Sequence, residues 1–189
     1  MRIIGGKNRG TKLFTLDGFD TRPTLDRVKE PLFSILNFDI VDSVVLDLFA
    51  GSGALGLEAI SRGAKEAVLC DSSKNAIHVI EQNVKKTRNE SNIKIINQDY
   101  LKTLESLKEQ EYKFDIVFLD PPYKTDFAEK ASERIIEFDL LNENGIIIIE
   151  TDRKKEVVEN INKMNLFNII DERKYGRAEL IFLKKKSSI

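Results

Sequence analysis

The chain predicts a doubly wound, mostly parallel α/β sheet of seven strands, on three observations. From about residue 44, short β-branched apolar runs alternate with segments of helical spacing. The runs are apolar nearly throughout, the pattern of strands covered on both faces. A glycine-rich segment, Gly51 to Gly56, follows the first run and opens the first helical segment. That is where Rossmann-like folds admit a ligand.

Each element follows from local pattern. Val44–Leu48 is the first strand, Gly53–Arg62 a helix and Glu66–Asp71 the second strand. Ser73–Arg88 carries apolar residues at 76, 77, 79, 80 and 84, close to helical spacing. Ile93–Asn97 is a strand, Tyr100–Glu109 a helix, Phe114–Leu119 a strand and Asp126–Phe138 a helix. Gly145–Glu150 is a fully apolar strand, followed by a helix over Arg153–Met164. Right-handed crossovers then wind helices onto both faces. Phe167–Lys174 and Ala178–Lys184 flank Tyr175-Gly176-Arg177, so the chain should end in an antiparallel hairpin.

Residues 1–40 stand outside this alternation and are expected to form an extension on a main domain spanning 41–189. Arg2–Gly5 and Thr11–Leu16 suggest a small hairpin around a glycine-rich turn. Thr24 is expected to cap a helix running to about Asn37. Pro31 lies inside it and removes the bond to the carbonyl of Arg27, so a kink or a later start is expected.

Composition narrows the function. With 189 residues, 41% apolar and 32% charged, the chain is an ordinary globular one with a substantial core. A net charge of −1 means that attraction to nucleic acid must come from local patches. The single Cys70 forms no internal disulfide, which suits a reducing cytoplasm. The first ten residues carry no apolar leader pattern, and no apolar run is long enough to span a bilayer. No Cys/His cluster suggests a metal. A cytoplasmic monomer is expected. His78 sits within a helical segment, and Cys70 in an apolar strand reads as core.

The chemistry concentrates in two places. Gly51, Gly53 and Gly56 fit G-x-G-x-x-G between a strand and a helix, where a ligand can approach the backbone closely. Asp71 ends the second strand, positioned to accept the hydroxyls of a ribose. Asp99 follows the third strand, positioned to accept from an adenine amino group. Phe49, Ser72 and Tyr100 complete the expected cofactor contacts. Asp47 precedes the glycines and would repel a phosphate while attracting a sulfonium or an ammonium. That charge favours S-adenosylmethionine over a dinucleotide. The second place is Asp120-Pro121-Pro122-Tyr123, directly after a buried strand. Two prolines stiffen the bend and supply carbonyls without donors. A carboxylate and an aromatic ring flank them, a set suited to a planar ring bearing an amino group.

Three segments together carry a family resemblance. They are Arg22-Pro23-Thr24 with Asp26-Arg27-Val28-Lys29-Glu30, the run from Leu46 to Ala64, and Asp120-Pro121-Pro122-Tyr123. In these the chain resembles the 16S ribosomal RNA guanine-N2 methyltransferases of the RsmD type, over nearly its whole length. The glycine loop and the tetrad recur across amino-group methyltransferases; the Arg-Pro-Thr segment is the more specific feature. The resemblance implies a seven-stranded class I methyltransferase fold. It also implies methylation of one guanine, conventionally numbered 966, on an assembled particle of the small ribosomal subunit. Pro31 departs from the family, which usually has Ala there.

On this reading Asp120 and the carbonyl of Pro121 accept the two hydrogens of a guanine amino group, with Pro122 stiffening the bend and Tyr123 stacking on the base. Lys7, Arg9, Arg22, Arg27 and Lys29 are the expected RNA contacts; Lys184-Lys185-Lys186 reads as a solvated tail. Two other classes share features of the chain. A DNA or protein-glutamine methyltransferase shares the proline loop, but a DNA enzyme needs a recognition domain larger than any segment here. A nicotinamide oxidoreductase or nucleotide-binding module shares the glycine loop, yet gives Asp47 and the tetrad no role.

Overall fold

The computed structural model describes residues 1–16, 23–122 and 124–186, with residues 23–27 described as backbone alone. A first helix, α1 (Pro23–Ile35), precedes the alternation. Then follow β1 (Val44–Asp47), α2 (Ala54–Ser61), β2 (Glu66–Asp71), α3 (Lys74–Thr87), β3 (Ile93–Asn97), α4 (Tyr100–Glu109) and β4 (Phe114–Leu119). The chain continues through α5 (Phe127–Glu137), β5 (Leu141–Thr151), α6 (Lys154–Met164), β6 (Phe167–Tyr175) and β7 (Ala178–Lys185).

The strands form one sheet in the order β3-β2-β1-β4-β5-β7-β6. The first five pair in parallel, and β7 runs antiparallel between β5 and β6. The chain winds outward from β1 to β3, then returns to place β4 beside β1. The C-terminal ends of these two strands therefore flank a crevice where the winding reverses, the place where open α/β sheets bind ligands.

Strand side chains alternate between two cores. Val45, Ile116, Phe118, Ile146 and Ile148 pack on one face, with α1, α2 and α3. Leu46, Val117, Leu119, Ile147 and Ile149 pack on the other, with α4, α5 and α6. Continuous apolar runs are required because each strand feeds both. β5 begins earlier than its apolar stretch: Leu141 pairs with Phe114, and the register then shifts to Ile146 opposite Ile116. Polar Asn142-Glu143-Asn144 fills the irregularity, which hides the strand's start from a pattern of apolar residues. At the sheet edge β6 also shifts register, between Ile169 and Asp171, leaving Ile170 47% exposed.

The N-terminal segment shares the first core. Ile3, Leu13, Val28, Leu32, Phe33 and Leu36 are buried against the sheet residues of that face. The expected hairpin is short: one antiparallel bridge, Arg2 to Lys12, with the amides of Ile3, Gly10 and Leu13 donating to the carbonyls of Thr11, Ile3 and Met1. Other backbone groups there bond to side chains of the main fold. The amides of Ile4 and Gly5 donate to Glu58, and that of Asn8 to the hydroxyl of Ser61. The helix begins at Pro23, so Thr24 lies inside it rather than capping it; a proline in the first turn needs no donor and arrives with a helical φ. It continues through Pro31, because burial of Val28, Leu32, Phe33 and Leu36 on both sides of the proline outweighs the one lost bond.

Lys29 corrects an expectation. It is fully buried and 3.3 Å from the equally buried Glu58, and it also donates to the carbonyl of Arg2. It cannot meet a phosphate; it neutralises an interior carboxylate that also takes Arg62. Among the described residues no helix is long and apolar enough to cross a membrane.

Lys29→Ala should lower stability by about 3 kcal/mol in urea denaturation. Glu58 keeps Ile4, Gly5 and Arg62, which holds the loss to the lower end for a broken buried pair. An unchanged midpoint would show that the pair is dispensable.

Candidate active site

A cavity of about 560 Å³ opens at the crevice between β1 and β4. Asp47, Phe49, Gly51, Asp71, Ser72, Asp99, Tyr100, Asp120, Pro121 and Pro122 line it, so nearly every residue singled out for cofactor and catalysis converges there. Gly53 does not line it. Tyr123 and Arg22 lie outside the described residues, as does the side chain of Arg27.

The glycines divide the work between cavity and packing. Gly51 has φ +56°, and a Cβ there would meet open space, so its bareness serves the backbone turn and the approach of a ligand. Gly53, at φ +77°, turns the chain into α2. Gly56 serves packing: a Cβ would lie 2.1 Å from Leu69 Cδ2 on β2. Its amide donates to Asp47 Oδ2 at 3.2 Å. The third glycine of the motif thus brings α2 close to β1 and β2, and it anchors the carboxylate that ends β1.

Asp71 holds the loop from the neighbouring strand. Oδ2 accepts from the amide of Gly51 at 2.9 Å, and Oδ1 from the amide of Ser73 at 2.9 Å. Each oxygen retains a lone pair for a ligand hydroxyl. Asn97 on β3 donates to the carbonyls of Asp71 and Ser72 and fixes their backbone. Asp99 caps α4 by accepting from the amide of Leu101 at 2.9 Å. Beside it, Tyr100 packs against Phe49 and Phe127, with ring centroids 5.3 and 4.9 Å away.

The proline loop is held from behind. Thr125 donates its hydroxyl to the carbonyl of Pro122 at 2.7 Å, and the guanidinium of Arg153, just before α6, donates to the carbonyl of Thr125. The loop is therefore stiffened by more than its two prolines.

Charge sets the character of the site. The lining carries four carboxylates, Asp47, Asp71, Asp99 and Asp120, and no Lys, Arg or His among the described residues. Burial pushes the Asp47 carboxyl up from 3.8 to about 7; the Gly56 amide opposes this, while Asp120 and Asp71 add to it. Such a cavity disfavours phosphates and favours a cationic ligand. Cys70 stays out of the chemistry: it is buried beside Thr103, and burial pushes its thiol up to about 11. His78 is exposed on α3. Among the described residues no cluster of His, Cys, Asp or Glu is arranged to hold a metal.

Several wall residues escape sequence reasoning. Phe127, Met1, Thr15 and Leu16 line the cavity from segments distant in sequence. The only available signal was Phe127's place shortly after the proline loop. Asn83, buried on α3, also escapes it. Asn83 accepts from the amide of Phe14 at 2.8 Å and donates to the carbonyls of Phe14 and Ser52 at 3.0 and 2.9 Å. It thereby ties the N-terminal arm to the glycine loop.

The profile of the family described as Conserved hypothetical protein 95 matches residues 1–184. The chain belongs to that family. Among its relatives is Ribosomal RNA small subunit methyltransferase D of Haemophilus influenzae, 40% identical over 159 residues, covering 84% of this chain and 82% of the relative. Its namesake in Escherichia coli K12 is 37% identical over 152 residues, 80% of this chain and 75% of the relative. The structure of yhhF from Escherichia coli matches with a TM-score of 0.83 at 31% identity, covering 100% of this chain and 99% of that one. The RsmD-type resemblance read from the motifs is thus borne out, as is the seven-stranded fold it implied.

The raised Asp47 pKa predicts a pH dependence. Below about pH 4 the folded and unfolded chains both hold the proton, and between there and about pH 7 only the folded one does, so stability falls as pH rises through this window. Asp47→Asn should lack this contribution. In urea unfolding without ligand, its advantage over wild type should grow across that window and then level off; a constant offset would contradict the assignment.

Proposed function

We propose that the protein transfers a methyl group from S-adenosylmethionine to the N2 amino group of a guanine in 16S ribosomal RNA, the position numbered 966 by family resemblance. The observation that carries the cofactor is the anionic cavity: four carboxylates, and no Lys, Arg or His among the described residues, line a volume suited to a small ligand. A dinucleotide would bring phosphates to the same wall. The relatives named as small-subunit rRNA methyltransferases support the substrate.

The cofactor supplies a methyl group already activated for transfer. Asp71 takes its ribose hydroxyls, Asp99 and the neighbouring backbone its adenine, and Gly51 admits it against the loop. Phe49, Ser72 and Tyr100 complete the contacts, and Gly53 shapes the loop. Asp47 faces the positive end, where a cation restores the ionised form that burial disfavours.

A guanine amine is a poor nucleophile because its lone pair is delocalised into the ring. Asp120 accepts one of its hydrogens and the carbonyl of Pro121 the other; Thr125 already occupies the carbonyl of Pro122. This geometry favours a pyramidal nitrogen with its lone pair directed into the cavity. As the nitrogen becomes positive, Asp120 stabilises it and then receives the proton, so no strong base is needed beforehand. Pro122 stiffens the bend and Tyr123 stacks on the base. Lys7 and Arg9, both exposed, hold phosphates on the N-terminal side, with Arg22 and Arg27.

The deciding measurement is transfer of tritiated methyl groups to unmodified small subunits, free rRNA and duplex DNA, followed by mass-spectrometric mapping. Label on N2 of one guanine supports the proposal; label on DNA or on a ribose sinks it. Asp120→Ala should cut kcat on the order of 10²- to 10³-fold while calorimetric affinity for S-adenosylmethionine stays nearly intact. Wild-type turnover in this variant would remove Asp120 from the mechanism.

A further inference from the structure

The C-terminal end of α3 meets the N-terminal turn at a seam. Asn8 donates to the carbonyl of Thr87 at 3.0 Å, and Asn89 donates to the side chain of Asn8 at 3.0 Å. These bonds fix two cationic groups side by side. Lys7, Arg9 and Lys12 come from the arm, and Lys85, Lys86 and Arg88 from the helix end; all six are exposed. The nearby acids on α3 and just beyond it are Glu81 and Glu90, so the surface remains strongly positive.

Helix-dipole complementation accounts for Lys85 and Lys86 taken alone. It does not account for Arg88, which closes the helix in a left-handed conformation at φ +55°, where glycine is the unstrained choice. Nor does it account for the cations of the arm, which belong to a separate segment.

An aromatic ring lies between this surface and the cavity. Phe14 is 47% exposed, with the Lys86 ammonium 4.4 Å from its ring centroid. Its backbone is clamped on both sides by Asn83, and the next two residues, Thr15 and Leu16, line the cavity. A cation beside a half-exposed ring, on a path lined with further cations, is the chemistry that grips single strands.

We infer that the arm and the end of α3 form one composite track for single-stranded RNA flanking the target nucleotide, Phe14 stacking a base and Lys7, Arg9, Lys86 and Arg88 holding phosphates. The inference rests on the rRNA reading above and extends it from the arm to a helix that sequence patterning assigned only to the fold. A single strand is the fitting occupant because the acceptor amine must leave its pairing partner to reach Asp120.

The test measures binding of a short fluorescein-labelled, guanine-containing single-stranded RNA by anisotropy across a salt titration. In Lys86→Glu with Arg88→Glu, affinity should fall and the salt slope should become shallower by about 1.4, two single-strand phosphate contacts at roughly 0.7 each. Phe14→Ala should weaken binding with the slope unchanged. Lys108→Glu with Lys155→Glu, the same charge change on α4 and α6, should leave the slope at wild type. On unmodified small subunits the α3 variant should raise KM while calorimetric affinity for S-adenosylmethionine holds. If wild type transfers methyl groups to rRNA but the α3 variant keeps its slope and KM, or the control pair shifts equally, the track is refuted and the proposed function stands. If wild type transfers none, the proposed function itself falls.

Discussion

Close approach of α2 to the sheet is the constraint from which the site follows. With a bare Cα at Gly56, the helix settles against Leu69 and its amide reaches Asp47. That single contact aims the glycine loop over the crevice and holds a carboxylate at the end of β1, where water would otherwise claim it. Substituents at Gly56 would displace Leu69 from the core and open the helix-to-strand spacing at once. Asp71 then secures the same loop from β2, so two adjacent strands fix one turn. Cavity shape and charge are thus set by backbone packing before any ligand arrives.

A second carboxylate organises the N-terminal segment. Glu58 lies on α2 and is fully buried; it accepts from two arm amides and pairs with Lys29 and Arg62. An interior charge is tolerated only when its oxygens are so engaged. In return the arm's amides gain acceptors that a longer hairpin would have found in a partner strand. Met1, Thr15 and Leu16 can then serve as part of the cavity wall.

Much of this was legible in the sequence because both sheet faces are covered and each strand had to be apolar. The carboxylates Asp47, Asp71, Asp99 and Asp120 were legible for a related reason: each lies at or just past the C-terminal end of a strand, the side on which the crevice opens. Lys29 was not legible. A lysine in a charged stretch reads as solvated, and its partner lies 29 residues away on another element. The shortness of the N-terminal hairpin has the same origin, since Glu58, Ser61 and Asn83 satisfy other backbone groups of the arm from afar. Phe127 and Leu16 are apolar residues like any others until folding brings them to the cavity. The start of β5 was hidden by polar residues that the register shift accommodates.

The outer margin of the sheet bears on how the molecule behaves in a crowded solution. At β6 the pairing slips after Ile169, and Asp171, Glu172, Arg173 and Lys174 follow in unbroken succession. A foreign strand laid alongside would meet mismatched spacing and a charged run of two acids followed by two bases. Recruitment into fibrils or edge-joined aggregates is thereby discouraged at the margin where an antiparallel ending leaves the ladder open.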